Sequence, residues 1–295
     1  MRQGKLHHEL VQAGLISQNA TWSKFSGGRS NSVWKVKSDD GLVCVKLYQE
    51  NWNNPLYSNN SLDELVCLTA LHDKRICPQP IAHVKTAYGD CLIYDHVTGK
   101  TTTDEVEKVA ATFAMLHQHD PVASLPRVAS TADALIQHTY SILSSCSDDL
   151  RNELIKLRPK HKEEMDVTWQ MLHRDPTPNN ILVSASQCYL IDWQSPGLGH
   201  PVEDLCHFLS PAMRILYGAA PISMAQRQAF IAAYCDHHSD FDIHTLDAMQ
   251  ALYHWRLAAY CAWKISQGDQ DYSKGLDHEI ALLKEFGSDY HKQPT

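Results

Sequence analysis

The chain has 295 residues, of which 43% are hydrophobic and 20% charged, enough for one large core or two lobes of an ordinary globular protein. It holds no apolar run of 18 residues, which excludes a membrane-spanning helix. The net charge of −8 is uneven: residues 1–99 hold 10 Lys/Arg against 9 Asp/Glu, and residues 100–295 hold 16 against 25. An acidic second part argues against nucleic acid and suits a cationic small molecule.

The start, MRQGKLHHELVQAGLI, lacks a continuous apolar stretch and a small-residue cleavage site, and reads as a short amphipathic helix. Residues 22–47 alternate as strand, glycine turn, strand, turn and strand, with Asp39-Asp40-Gly41 as a hairpin turn. Gly27 and Gly28 would let the backbone approach a phosphate closely, and Ser30 and Asn31 would add donors. An ordinary glycine turn is the plain alternative, and no Walker A sequence is present.

Lys46 lies in the apolar strand VCVKLY, where a charge needs a partner or a cleft. In a phosphoryl-transfer site such a lysine reaches the nucleotide phosphates and pairs with a carboxylate on the next helix. That helix is SLDELVCLTALHDK, with Leu62, Leu65, Leu68 and Leu71 expected along one side. Glu64 is the expected partner, and Asp63 the alternative. Cys77–Pro80 ends the helix, and CLIYDHVTGK carries a further strand, Cys91–Tyr94. Residues 103–119 form an amphipathic helix capped by Thr103, its apolar face running Val106, Val109, Ala110, Phe113 and Leu116. Residues 130–165 read as two more helices.

Residues 171–193, MLHRDPTPNNILVSASQCYLIDW, carry the chemistry. Two apolar runs, Ile181–Val183 and Tyr189–Ile191, flank a polar turn and read as a β-hairpin. Asp175 and Asn180 precede it and Asp192 follows it, so the hairpin brings all three to one edge. Phosphoryl transfer needs such a set: a carboxylate, Asp175, to accept the attacking hydroxyl's proton, and an amide and a carboxylate, Asn180 and Asp192, to hold magnesium. His173-Arg174 before Asp175 completes the pattern H-R-D-x-x-x-x-N.

HRDPTPNNILV followed by LIDWQSPGLGHPVEDLCHFL resembles the aminoglycoside phosphotransferase and choline kinase family of small-molecule kinases. The resemblance implies a two-lobed, protein-kinase-like α+β fold. Its small lobe, residues 1–98, would hold an antiparallel sheet with one helix, and residues 99–295 would form a larger, mainly helical lobe. It also implies ATP and Mg2+, with backbone groups of Asp95, His96 and Val97 at the adenine edge. His117, at the end of FAMLHQH, and Asp204 correspond to structural positions, Asp204 bracing the catalytic loop. The chain departs from the family pattern at Arg174, where Gly is usual, and at Gln194, where Glu is usual.

Pro201 before Glu203-Asp204 marks a helix start, the acids lying at its positive end. Three helices follow, over 224–238, 243–265 and 274–286. The middle one carries Tyr253, Trp255, Tyr260 and Trp263, which read either as plain core or as a cage for an amine. The nine scattered cysteines, without C-x-x-C or zinc spacing, favour free buried thiols in a reducing cytoplasm. No A-P-E-like motif follows Asp192, so a protein substrate is disfavoured. The expected activity is ATP-dependent phosphorylation of a hydroxyl on a small, amine-bearing molecule. The alternatives are an uncharged acceptor and a nucleotide-binding regulator without turnover.

Overall fold

A computed structural model describes residues 2–25, 30–39, 41–50, 52–101, 104–161 and 167–290. Gly27, Gly28, Asp40 and the proposed cap Thr103 lie outside them. The amphipathic start forms α1 (Arg2–Gln12). Strands β1 (Thr21–Lys24), β2 (Ser32–Ser38) and β3 (Gly41–Leu47) follow, then α2 (Ser61–Leu71), β4 (Pro80–Thr86) and β5 (Gly89–Asp95). The five strands form one antiparallel sheet in the order β1-β2-β3-β5-β4, which puts β3 in the middle.

Alternation along these strands gives the sheet two apolar faces. Val45 and Leu47 of β3, with Cys91 and Ile93 of β5, meet Leu6 and Leu10 of α1. Cys44, Leu92 and Tyr94 turn to the other face, joining Cys67, Leu68 and Leu71 of α2 in the main core. The small lobe thus has a helix on each side of its sheet, one more than the resemblance implies. The leucines of α2 do not share a side: Leu62 is exposed whereas Leu68 and Leu71 are buried. Steps of three residues fall short of a full turn, so nine residues bring Leu71 to the opposite side from Leu62. The buried stripe is Ser61, Glu64, Cys67, Leu68 and Leu71.

After β6 (Lys100–Thr101) the chain becomes mostly helical: α3 (Val106–His117), α4 (Ala132–Leu143) and α5 (Asp148–Lys156). The expected apolar face of α3 is fully buried. Strand β7 (Gln170–Leu172) leads into the Asp175 loop, β8 (Ile181–Val183) and β9 (Cys188–Leu190) form the hairpin, and β10 (Gly197–Gly199) returns to pair with β7. The second hairpin strand starts and ends one residue earlier than its apolar run suggests, because Leu190 faces Ile181 across the turn. The segment between Asp192 and α6 contains β10. A Cβ at Gly199 would sit 2.5 Å from Ser130 Oγ, so only glycine lets residues 128–130 lie against this strand. Helices α6 (Val202–Leu209), α7 (Pro211–Leu216), α8 (Met224–His237), α9 (Ile243–Ser266) and α10 (Ser273–Tyr290) complete the large lobe. All nine cysteines are free thiols, eight of them buried. No helix among the described residues is long and apolar enough to cross a membrane.

Candidate active site

The hairpin delivers its three residues together. Asn180 ends a 3-10 turn, Pro178–Asn180, and its carbonyl accepts the Ile191 N–H at 2.9 Å, which ties the residue before Asp192 to the Asp175 loop. The Asn180 amide donates to the Asp175 carbonyl (2.9 Å) and to Asp175 Oδ2 (3.1 Å). His173 clamps the same two segments. Its Nδ1 accepts the Asp175 N–H at 3.2 Å, so Nε2 carries the proton and donates to Ile191 O at 3.0 Å. Burial holds the His173 pKa below its ordinary value, which suits this neutral form.

Asp204 braces the loop from below. Its carboxylate accepts the N–H groups of His173 (2.8 Å) and Arg174 (2.7 Å), and His117 Nε2 lies 3.2 Å away. Burial alone would raise the Asp204 pKa, but the His117 hydrogen bond and charge and the His173 contacts hold it below the ordinary carboxylate value. The first N–H of α6 goes to His200 Nδ1 at 3.2 Å, and both Asp204 oxygens go to the loop and His117. His117, held also by Tyr234 Oη at 2.7 Å, is structural as expected.

Lys46 is only 1% exposed and lies between two carboxylates, 2.5 Å from Glu64 Oε2 and in a close ion pair with Asp192. Burial works against its charge, and Asp192 and Glu64 outweigh that, so its pKa is raised and it stays an ammonium. Glu64, not Asp63, is the partner. Tyr48 donates to Glu64 as well, a contact foreshadowed only by its spacing two residues from Lys46.

Asp175 is half-buried, and its partial loss of water together with the Asp192 charge pushes its pKa well above the ordinary value. A carboxylate with raised proton affinity is suited to accept a hydroxyl proton near neutral pH. His207, which the sequence reading overlooked, lies 3.7 Å from Asp175 Oδ1 and shares a 2.8 Å hydrogen bond with Tyr57 Oη. Burial pushes its pKa down to about 3, so it is neutral. Its spacing of three residues from Asp204 on α6 was the available signal.

The residues read as nucleotide-binding are placed in part. Gln194 reaches back to the glycine segment: its Nε2 donates to Ser30 Oγ at 2.8 Å, and its Oε1 accepts from Asn31 at 2.6 Å. Asn31 also donates to Asn59 and accepts from the Gln49 N–H. Asn31, read as a phosphate donor, thus also bridges to the large lobe through Gln194. Asp95 closes β5 with its N–H on Gln79 O and its carboxylate on Gln79 N. His96 donates its N–H to Leu42 O and stacks on Phe25, centroids 6.2 Å apart, which brings the linker to the start of the glycine segment. Val97 follows β5 in the same linker.

Of the aromatic helix, Tyr253 and Trp255 are buried in the core, and the Tyr253 face carries the Arg256 guanidinium at 5.1 Å. Tyr260 packs edge-on against Tyr57 at 5.0 Å and stacks on Trp263. The ammonium of Lys264 lies 5.8 Å from the Trp263 centroid and 5.3 Å from that of Tyr272, so the chain's own cation takes those faces.

A family model described as the phosphotransferase enzyme family matches residues 21–251. The chain belongs to that family. No curated protein matches it in sequence. Among solved structures, a choline kinase of Streptococcus pneumoniae superposes with a TM-score of 0.69 at 16% identity, covering 97% of this chain and 100% of the other. An ethanolamine kinase of Plasmodium vivax gives 0.63 at 13% identity, with 94% and 87% covered. A spectinomycin phosphotransferase in complex with ADP and spectinomycin gives 0.58 at 14%, with 93% and 89% covered. At these identities the likeness is one of fold, the two-lobed kinase-like α+β architecture that the resemblance implied.

Proposed function

We propose that this phosphotransferase moves the γ-phosphate of ATP to a hydroxyl of a small organic molecule. The observation that carries the reading is the meeting of Asp175, Asn180, Asp192 and the Lys46–Glu64 pair at one edge, each in the role phosphoryl transfer demands. The ADP complex of one structural neighbour supports an adenine nucleotide. Asp175 orients the acceptor hydroxyl and takes its proton. Lys46, held by Glu64, neutralises phosphate charge. Residues 1–98 form the nucleotide lobe, with Gly27, Gly28 and Ser30 toward the phosphates and Asp95, His96 and Val97 at the adenine edge. Residues 99–295 supply the catalytic loop and the acceptor side.

Magnesium fits the donor set. Asp192 and Asp175 burden each other with charge, and Asn180 spends both amide hydrogens on Asp175, which leaves its Oδ1 as a hard oxygen ligand. Among the described residues no three His, Cys, Asp or Glu side chains gather as a preformed metal cage, in keeping with a cation held by one or two protein groups plus phosphates. Magnesium there would neutralise charge on the transferring phosphate.

For the acceptor, an amine-bearing alcohol is the first reading, supported by the acidic second part and by the partly exposed Tyr57, whose hydroxyl joins His207 beside Asp175. The occupation of Trp263 and Tyr272 by Lys264 favours an uncharged acceptor instead. Measuring ATP consumption and phosphorylated product against a panel of hydroxyl compounds tests the whole reading. Turnover with at least one acceptor, dependent on Mg2+, is expected; nucleotide binding without product for any acceptor would leave the regulator in its place.

A further inference from the structure

Arg174 stands in the catalytic loop with φ of +68°, where a β-carbon is strained and glycine is favoured. The side chain accounts for its place. It is buried, its Nε donates to Glu203 Oε1 at 2.9 Å, one terminal nitrogen donates to Leu56 O at 2.9 Å, and the other reaches Ser195 O at 3.5 Å. Glu203 does not depend on Arg174 for its charge balance, because Arg256 also lies 2.9 Å from it. What Arg174 alone supplies are the bond to Leu56 O and the longer one to Ser195 O.

Leu56 belongs to the segment between β3 and α2, which leaves the small lobe and binds the large one repeatedly. Asn54 donates to Tyr260 Oη at 2.9 Å, Pro55 O accepts from His138 at 2.9 Å, and the Ser58 N–H donates to Ser195 Oγ at 2.9 Å. Asn60 N–H donates to Gln194 O at 3.0 Å. Tyr57 brings its hydroxyl to His207, beside Asp175. The strap also walls a cavity of about 620 Å³, bounded across from it by residues 126–129 and His138. That volume lies in the range of small-molecule sites.

We propose that Arg174 is a positioning residue for the acceptor: by holding Leu56 O it fixes the strap, and with it Tyr57, against the catalytic loop. This rests on the kinase reading above. The guanidinium reads a backbone carbonyl and a carboxylate at once through its planar fork, which the single nitrogen of a lysine does not reproduce.

The test compares the parent with Arg174→Gly and Arg174→Lys by amide hydrogen exchange and by kinetics on an acceptor found in the panel. Glycine relieves the backbone strain and Glu203 keeps Arg256, so the fold is retained. Losing a charge-assisted hydrogen bond should speed exchange of the Leu56, Tyr57, Ser58 and Asn60 amides roughly ten-fold or more in both variants. The acceptor KM should rise by a similar factor, more than kcat falls, with the KM for ATP little moved. If Arg174→Gly fails to fold, Arg174→Lys, which keeps a charge for Glu203, carries the same expectations. Unchanged strap exchange, or a loss confined to kcat, overturns the proposal. A parent that phosphorylates no acceptor refutes the kinase reading instead, and the exchange data still decide whether Arg174 holds the strap.

Discussion

Asp175 and Asp192 are both acids on loops next to the same hairpin, yet their surroundings divide their roles. Asp175 is half-buried, its side chain 18% exposed, with raised proton affinity, whereas Asp192 is 35% exposed and paired with Lys46. Replacing Asp175 with Asn keeps the shape and removes the proton acceptor, so turnover should fall by roughly 10²–10⁴ while ATP binding persists. Single-turnover kinetics beside nucleotide titration check this, and a loss of only a few-fold would take the base role from Asp175. Asp192→Ala should weaken ATP binding in the presence of Mg2+ far more than without it, because this carboxylate would act through the ion. Titrations with and without the metal read that difference; equal losses would point to Lys46, freed of one partner, as the damaged group.

At the scale of elements, the large lobe has an ionic joint remote from the chemistry. His254 on α9 meets Glu279 on α10 at 2.9 Å, both buried, and Glu279 also accepts from Ser210 Oγ at 2.5 Å before α7. Burial disfavours the His254 charge, but the Glu279 charge outweighs it and raises the pKa from 6.5 to about 10. A pKa raised in the folded state stabilises fully below the unfolded value and is lost as pH climbs to the folded one. The joint should therefore hold at full strength below about pH 6.5 and fade between there and about pH 10. Breaking it with Glu279→Ala should cost roughly 3–5 kcal/mol near neutral pH, as for other buried pairs cut on one side. Thermal unfolding from pH 6 to 10 should show the parent losing Tm across this window and the variant, already lowered, changing less. Parallel profiles would mean His254 is neutral in the fold.

For the whole molecule, the acidic second part is a field and not a contact. Clefts lined by one sign of charge concentrate oppositely charged ligands, and salt screens the effect. An amino alcohol should therefore show a higher kcat/KM than its deaminated analogue at low ionic strength, by about two- to thirty-fold if one cation–π contact with Tyr57 is made. The advantage should shrink at high salt. Equal efficiencies at low salt would assign the acidic surface to solubility and favour the uncharged acceptor.

The hairpin after Asp175, the strands of the small lobe and the apolar face of α3 were legible because each shows in a local alternation or periodicity of residues. H-R-D-x-x-x-x-N and a short hairpin bring Asp175, Asn180 and Asp192 to one edge, which Asp204 and Lys46 then brace from afar. Lys46 was legible for another reason: a charge in an apolar strand announces a partner. What the sequence left open are contacts across long separations, which no local pattern encodes. Arg174 and Leu56 are 118 residues apart, and Asn31 and Gln194 are 163 apart. Both side chains looked like departures from a motif, and only the packing of the lobes shows what they hold. The aromatic helix divides on the same ground, since spacing gives a stripe but the neighbouring helices decide which rings are core. Local chemistry thus determined which groups could transfer a phosphate. Tertiary structure decided what encloses them, because burial and long-range pairing exist only once the chain has closed on itself.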